Sequence, residues 1–123
     1  MKRKILIAED ENNIGLLLKD ICSFSGFDAE IAPNGLQAMQ RLEQQNFNAL
    51  VTDINMPVMN GIELINKSNR EFPQLPIIAV SAYPYEKALE DLKIMCFVRK
   101  PFNVKRMINI IKRTEKCKLP GKE

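Results

Sequence analysis

Glu9-Asp10-Glu11 follows the apolar run Ile5-Leu6-Ile7-Ala8, Asp53 closes Ala49-Leu50-Val51-Thr52, Ser81 closes Ile77-Ile78-Ala79-Val80, and Lys100 follows Cys96-Phe97-Val98-Arg99. Each reactive group thus stands where a short buried strand runs out. An unpaired charge inside a protein costs several kcal/mol, so Asp53 must lie at the solvent edge of a sheet or have partners. The other three motifs can supply them. Carboxylates about 5 Å apart repel by roughly 3 kcal/mol per pair at an effective dielectric of about 20, and a cluster of Glu9, Asp10 and Asp53 therefore calls for counter-charge. Lys100 brings one charge. A small hard divalent cation brings two more, and oxygen donors with room for retained waters suit Mg2+ better than a caged Ca2+. A carboxylate beside Mg2+ and a lysine is a competent nucleophile for phosphoryl transfer, because the incoming phosphoryl oxygens are neutralised. Ser81 can then hydrogen-bond one of those oxygens.

The chain that must position these groups alternates apolar runs of strand length with stretches of helical period, the pattern of βα units around a parallel sheet. Strands are predicted at Lys4 to Ala8, Phe27 to Ala32, Leu50 to Asp53, Ile77 to Ser81 and Cys96 to Arg99. Ile14, Leu17, Leu18 and Ile21 fall on one face of a first helix that ends near Gly26, and Leu36, Met39 and Leu42 mark a second. Ile62, Ile65 and Phe72 give a third, about Tyr85 to Lys93 a fourth, and Val104, Met107, Ile108 and Ile111 the stripe of a fifth. Five such units with no repeat and no internal linker predict an α/β fold, a doubly wound five-stranded parallel sheet of (βα)5 type. The domain is expected over 1–118, with 119–123, beginning Leu119-Pro120-Gly121, a tail or the start of a linker. In an open parallel sheet the ligand site lies at the carboxyl ends of the strands, where strand order reverses, and there the acids, hydroxyl and ammonium converge.

Composition removes several alternatives. A chain of 123 residues with 46% hydrophobic content suffices for one core, and its formal net charge of +3 is too small and dispersed to argue for direct nucleic-acid binding. Cys22, Cys96 and Cys117 lack any paired C-x-x-C spacing, which favours reduced thiols over a disulfide framework or a zinc site. Only Ile5 to Ala8 is apolar behind Lys2-Arg3-Lys4, too short for a signal sequence or a membrane span, so a soluble cytoplasmic protein is expected. The absence of histidine excludes histidine triads, histidine general bases and most catalytic zinc sites.

The stretches ILIAEDEN (5–12), VTDINMPVMNGIEL (51–64), IIAVSAY (77–83) and FVRKPF (97–102) together resemble the receiver domain of two-component response regulators over residues 4–116. The resemblance implies a flavodoxin-like fold, with Asp53 the phospho-acceptor of a phosphorelay. It implies that Glu9, Asp10, Asp53 and the backbone carbonyl of Asn55 hold Mg2+, that Lys100 contacts the phosphoryl group, and that Ser81 and Phe97 are the switch pair. It also implies a cis Lys100-Pro101 peptide. The domain is then not an enzyme in the ordinary sense but a phosphoacceptor that phosphorylates and dephosphorylates itself with Mg2+. Its partners would be a sensor histidine kinase or histidine phosphotransfer protein upstream. Downstream, a protein partner or effector domain would meet the face formed by the fourth helix, the fifth strand and the fifth helix, on which a phosphorylation-dependent homodimer is also expected. Ile94, Met107 and Ile110 are candidates for an apolar patch there, unless Ile94 and Ile110 are buried.

Taken singly, each residue has a plainer reading: Asp53 a turn cap, Glu9 to Glu11 first-turn acids, Lys100 a solvated charge, Ser81 a strand-end hydroxyl, Phe97 core. The joint occurrence at four strand ends outweighs these readings for the set, though not for Glu11. Met56, Met59 and Met95 read as packing. Three positions depart from the family pattern. Glu9 stands for the commoner aspartate, Ser81 where threonine is frequent, and Lys93-Ile94 where Gly-Ala is usual, which removes a left-handed helix cap and makes a short, shifted or mobile fourth helix the expectation. The rival readings are a degenerate receiver that binds partners without phosphorylation, a Mg2+-dependent aspartate phosphatase and a flavin carrier. The intact Asp10, Asp53, Ser81 and Lys100 speak against the first, the lack of an acid/base carboxylate beside Asp53 and of a cap domain against the second. The chain has neither tryptophan nor a glycine- and hydroxyl-rich loop after the first strand to serve the third.

Overall fold

The computed structural model describes residues 3–115, in which strands and helices alternate: β1 (Lys4–Ala8), α1 (Asn12–Phe24), β2 (Asp28–Ala32), α2 (Gly35–Gln44), β3 (Ala49–Asp53), α3 (Gly61–Glu71), β4 (Ile77–Ser81), α4 (Glu86–Leu89), β5 (Cys96–Arg99) and α5 (Val104–Arg113). All five strands are parallel in one sheet of order β2-β1-β3-β4-β5, so the order reverses between β1 and β3. Register couples the reactive ends: Ala8 pairs Thr52, Asp53 pairs Val80, and Ser81 pairs Arg99.

The three central strands β1, β3 and β4 are nearly continuous apolar runs because both of their faces are covered, whereas the edge strands β2 and β5 are only partly buried. Ile5, Ile7, Val51, Ile78 and Val80 point toward α1 and α5, whose Leu18, Ile21, Cys22, Met107, Ile110 and Ile111 complete one core. Leu6, Ala8, Leu50, Ile77 and Ala79 point the other way, toward Ala38, Met39 and Leu42 of α2, Leu64 and Ile65 of α3 and Leu89 of α4. Asparagines start three of the helices by accepting an orphan backbone N–H: Asn34 from Gln37, Asn60 from Glu63 and Asn103 from Arg106. Glu63 answers the backbone N–H of Asn60 at 3.2 Å, closing a capping box at the head of α3. Gly26, at φ 91°, turns the chain out of α1.

Several expectations are corrected. The fourth helix is the single turn Glu86–Leu89 rather than about Tyr85 to Lys93, short as expected from the missing glycine at Lys93-Ile94: beyond Leu89 the chain closes a tight turn, Leu92 N–H to Leu89 carbonyl, and then takes hydrogen bonds from outside the helix. Phe27 precedes β2 rather than belonging to it, yet is buried in the core. Leu17 is 38% exposed and Val104 44% exposed, at the margins of their helices, while Ile110 takes the inward position on α5. The apolar patch expected of Ile94, Met107 and Ile110 does not exist. Met107 and Ile110 face the core at 0% and 1% exposure, and Ile94 packs on the opposite core; the outer face of α5 carries Lys105, Arg106, Lys112 and Arg113 instead. Cys22 and Cys96 are unpaired, burial pushing the Cys22 thiol up to about 12, and Cys117 and the proposed tail 119–123 lie outside the described residues. No helix among the described residues is long and apolar enough to cross a membrane.

Candidate functional site

At the carboxyl end of β3, Asp53 is 7% exposed and both of its carboxylate oxygens are hydrogen-bonded. Oδ1 accepts from the backbone N–H of Ile54 at 2.7 Å and of Asn55 at 3.3 Å, and Oδ2 accepts from Lys100 Nζ at 3.1 Å. Lys100, at the exit of β5, also donates to Glu9 Oε1 at 3.3 Å, so one ammonium bridges the ends of β1 and β3. The other Glu9 oxygen accepts from the Glu11 N–H at 3.2 Å. Asp10 is exposed, and oxygens of Glu9, Asp10 and Asp53 lie within 4.8 Å of one another. The Lys100-Pro101 peptide is cis, as expected.

Three carboxylates against one ammonium leave an excess of negative charge, and the electrostatics register it. Burial, and after it the charge of Asp53, raises the pKa of Glu9 from 4.5 to about 7 against the opposing pull of Lys100. Burial works to lower the pKa of Lys100, but its hydrogen bond to Asp53 and the charges of Glu9 and Asp53 prevail and hold it above the ordinary value. The ammonium therefore stays charged. Ser81, 1% exposed, turns its hydroxyl to accept from the Tyr83 N–H at 3.1 Å, and Arg99 donates to the next carbonyl, that of Ala82, at 3.3 Å. Phe97 is half-buried, packed on the core that α3 and α4 share.

Two parts of the site were not anticipated. Gly61 N–H donates to the Ile54 carbonyl at 2.8 Å, and a Cβ on Gly61 would collide with the Asp53 carbonyl oxygen, so glycine is required behind Asp53. Its signal is the Asn-Gly pair eight residues after Asp53, legible as a turn but not as a close approach. Beside Lys100, Ile14, Leu17, Ala82, Pro101 and Phe102 line a depression of about 260 Å³ that is wholly apolar apart from the lysine. Leu17, misread as core, was the trace of it.

The sequence profile of the response regulator receiver domain matches residues 5–112. The chain belongs to this family. A response regulator receiver protein, CpdR of Brucella abortus, is 33% identical over 117 residues, covering 90% of this chain and 95% of that protein. The sensor protein EvgS of Escherichia coli is 40% identical over 81 residues, covering 66% of this chain but 7% of EvgS, and the response regulator FleR of Pseudomonas aeruginosa is 26% identical over 126 residues, with 27% of FleR covered. The chain thus spans nearly all of one relative and a small part of the others. Among solved structures, a CheY-like receiver domain from Methanospirillum hungatei superposes with a TM-score of 0.85 at 26% identity, covering 94% of this chain and 98% of that one. Chemotaxis regulator CheY4 of Vibrio cholerae gives 0.84 at 23% identity, covering 93% and 99%, a likeness of fold.

Within this receiver domain the expected site divides in two. Glu9, Asp10, Asp53 and Lys100 form one cluster. Ser81 turns its hydroxyl to the Tyr83 N–H, Phe97 packs on the apolar core, and Asn55 meets the Asp53 carboxylate through its N–H.

Proposed function

We propose that this receiver domain is a cytoplasmic phosphoacceptor that takes a phosphoryl group onto Asp53 from the phosphohistidine of a sensor histidine kinase or a histidine phosphotransfer protein. The observation that carries the reading is the Lys100 ammonium held between Glu9 and Asp53 with Asp10 within 4.8 Å. The donor set is oxygen only and, with three carboxylates against one ammonium, two positive charges short of neutral, which fits a small hard dication. Glu9, Asp10, Asp53 and the Asn55 carbonyl would hold Mg2+, which when bound neutralises the carboxylates and the phosphoryl oxygens.

A carboxylate oxygen of Asp53 forms the new O–P bond while the donor's N–P bond breaks and its electron pair returns to the imidazole, which keeps or takes up a proton. The Ile54 and Asn55 N–H groups orient the attacking carboxylate. Lys100, already charged and 3.1 Å from Oδ2, follows the negative charge onto the phosphoryl oxygens. Water later cleaves the acyl phosphate and regenerates Asp53. The apolar depression beside Lys100 suits docking of the donor's helix next to its phosphohistidine. As output, the Ser81 hydroxyl leaves the Tyr83 N–H for a phosphoryl oxygen, and the Phe97 ring moves further inward; the phosphoryl group shifts this equilibrium only by its better contacts in one state. The altered α4–β5–α5 face then meets an effector or a second copy.

Incubation with acetyl phosphate followed by intact-mass spectrometry tests the reading. One phosphoryl group is expected on wild type with Mg2+, and none with chelator or on Asp53→Asn. Equal labelling of wild type and Asp53→Asn would refute it.

A further inference from the structure

The exit from α4 is held by one side chain of α3. α4 ends at Leu89 with no glycine behind it, and β5 is entered through the Met95 N–H bond to the Ile77 carbonyl at 2.7 Å. Between these points Lys93 is exposed, and both of its backbone groups are taken by Asn69: its N–H donates to Asn69 Oδ1 at 2.8 Å, and its carbonyl accepts from Asn69 Nδ2 at 3.0 Å. A carboxamide offering one acceptor and one donor occupies a backbone as a neighbouring strand would. Both backbone groups of Lys93 are thereby withdrawn from any helix that would run past it; α4 itself ends earlier, where the Glu90 N–H turns to the Lys87 carbonyl and the Leu92 N–H to the Leu89 carbonyl.

Asn69 also links the junction to the phosphoacceptor. It stands on α3, whose first residue, Gly61, is bonded to the Ile54 carbonyl and pressed against that of Asp53. At the other end of the segment, the Ser81 carbonyl accepts from the Lys100 N–H at 2.9 Å. The chain from 82 to 92 therefore runs between two fixed points, and within it only Leu89 is fully buried. A stretch with so few buried contacts lies at the low-stability end of the fold, from which moving elements are drawn.

We infer that Asn69 is a positioning residue of the switch: by fixing Lys93 to α3 it confines the rearrangement started at Ser81 to residues 82–91 and keeps the entry to β5, and with it the backbone before Phe97, in place. The inference rests on the phosphoacceptor reading for what starts the movement, and on geometry alone for the anchor.

Amide exchange read by mass spectrometry on the full chain, in chelator and then with Mg2+ and beryllofluoride, tests it on wild type, Asn69→Ala and Asn69→Asp. Asn69→Asp keeps the acceptor for the Lys93 N–H and loses the donor. In chelator, exchange over 92–95 is expected to rise roughly tenfold in Asn69→Ala and less in Asn69→Asp, with 49–61 unchanged. With beryllofluoride, wild type should change over 82–91 and the loops around Asp53, and in Asn69→Ala the change should spread through 92–97, a readout that a merely stabilising contact would not move. Equal exchange over 92–95 in wild type and Asn69→Ala, or a wild-type response that already runs through 92–97, would overturn the anchor. A wild type that ignores beryllofluoride at Asp53 and Ser81 counts against the phosphoacceptor reading instead, and the comparison in chelator still decides the anchor.

Discussion

Replacing Glu9 by Gln removes one buried carboxylate from the metal-free cluster while keeping its shape, and the resulting gain in stability should depend on pH in a defined way. Glu9 is 2% exposed, with its pKa raised from 4.5 to about 7, first by burial and then by Asp53. Between these two values the native protein holds a proton that the unfolded chain has released, so the unfolded state binds fewer protons and stability falls as pH rises through the window. Below it the penalty vanishes; above it the penalty is constant. At about 1.4 kcal/mol per pH unit the full penalty is about 3 kcal/mol above pH 7, and under about 1 kcal/mol at pH 5. Glutamine carries no such penalty, and the opposing pull of Lys100 is already contained in the raised pKa. In EDTA, Glu9→Gln should therefore exceed wild type by under about 1 kcal/mol at pH 5 and by about 3 kcal/mol at pH 8. Urea unfolding at the two pH values measures the difference directly, since both proteins expose the same surface and should share one m-value. With saturating Mg2+ the sign should reverse, because wild type alone keeps all its carboxylates. A difference between the two proteins that is the same at pH 5 and pH 8 in EDTA would refute the reasoning.

Two further outcomes follow from the backbone around Asp53. Gly61→Ala sets a methyl group against the Asp53 carbonyl oxygen and 2.7 Å from Ile54 Cα, backbone that cannot yield cheaply, so a loss of about 3 kcal/mol in urea unfolding and slower phosphorylation are expected. Val58 sits at φ 68° with its side chain 73% exposed, a left-handed conformation that a β-branched residue adopts only under constraint. Val58→Asn should raise stability by about 1 kcal/mol, seen as a higher urea midpoint at unchanged m-value.

The parts of this domain legible in the sequence are those where one physical signal dominates. β1 and β4 are legible to the residue because a strand buried on both faces is an unbroken apolar run, and its polar end is the site itself; β5, a partly buried edge strand, is bounded instead by the charged Arg99-Lys100 that closes its short apolar run. Glu9, Asp53 and Lys100 could be brought together because the parallel fold leaves their strand ends one common edge. Asp10 joined them for the same reason. What escaped depends on contacts between distant segments. The Tyr85, Leu89 and Leu92 spacing is helical, and nothing near it says that the Leu92 N–H turns back to the Leu89 carbonyl or that Asn69, 24 residues upstream of Lys93, holds the backbone just beyond. α5 has apolar residues all around its inner half, so periodicity alone could not choose between Val104 and Ile110 for the core, and the expected surface patch vanished with that choice. The raised pKa of Glu9 was equally invisible, since it follows from burial depth and not from residue type.

In the phosphoacceptor reading the phosphoryl group is carried by the Asp53 carboxylate and by no other acid. Phosphorylating the protein with Mg2+ and acetyl phosphate, reducing it with borohydride and sequencing the peptides by tandem mass spectrometry marks the acceptor, because reduction of an acyl phosphate turns aspartate into homoserine. Homoserine at position 53, and at no other acid including the neighbouring Glu9 and Asp10, is the expected result. Homoserine at Asp10, the corresponding reduction product at Glu9, or a phosphorylated protein with Asp53 unaltered would contradict it.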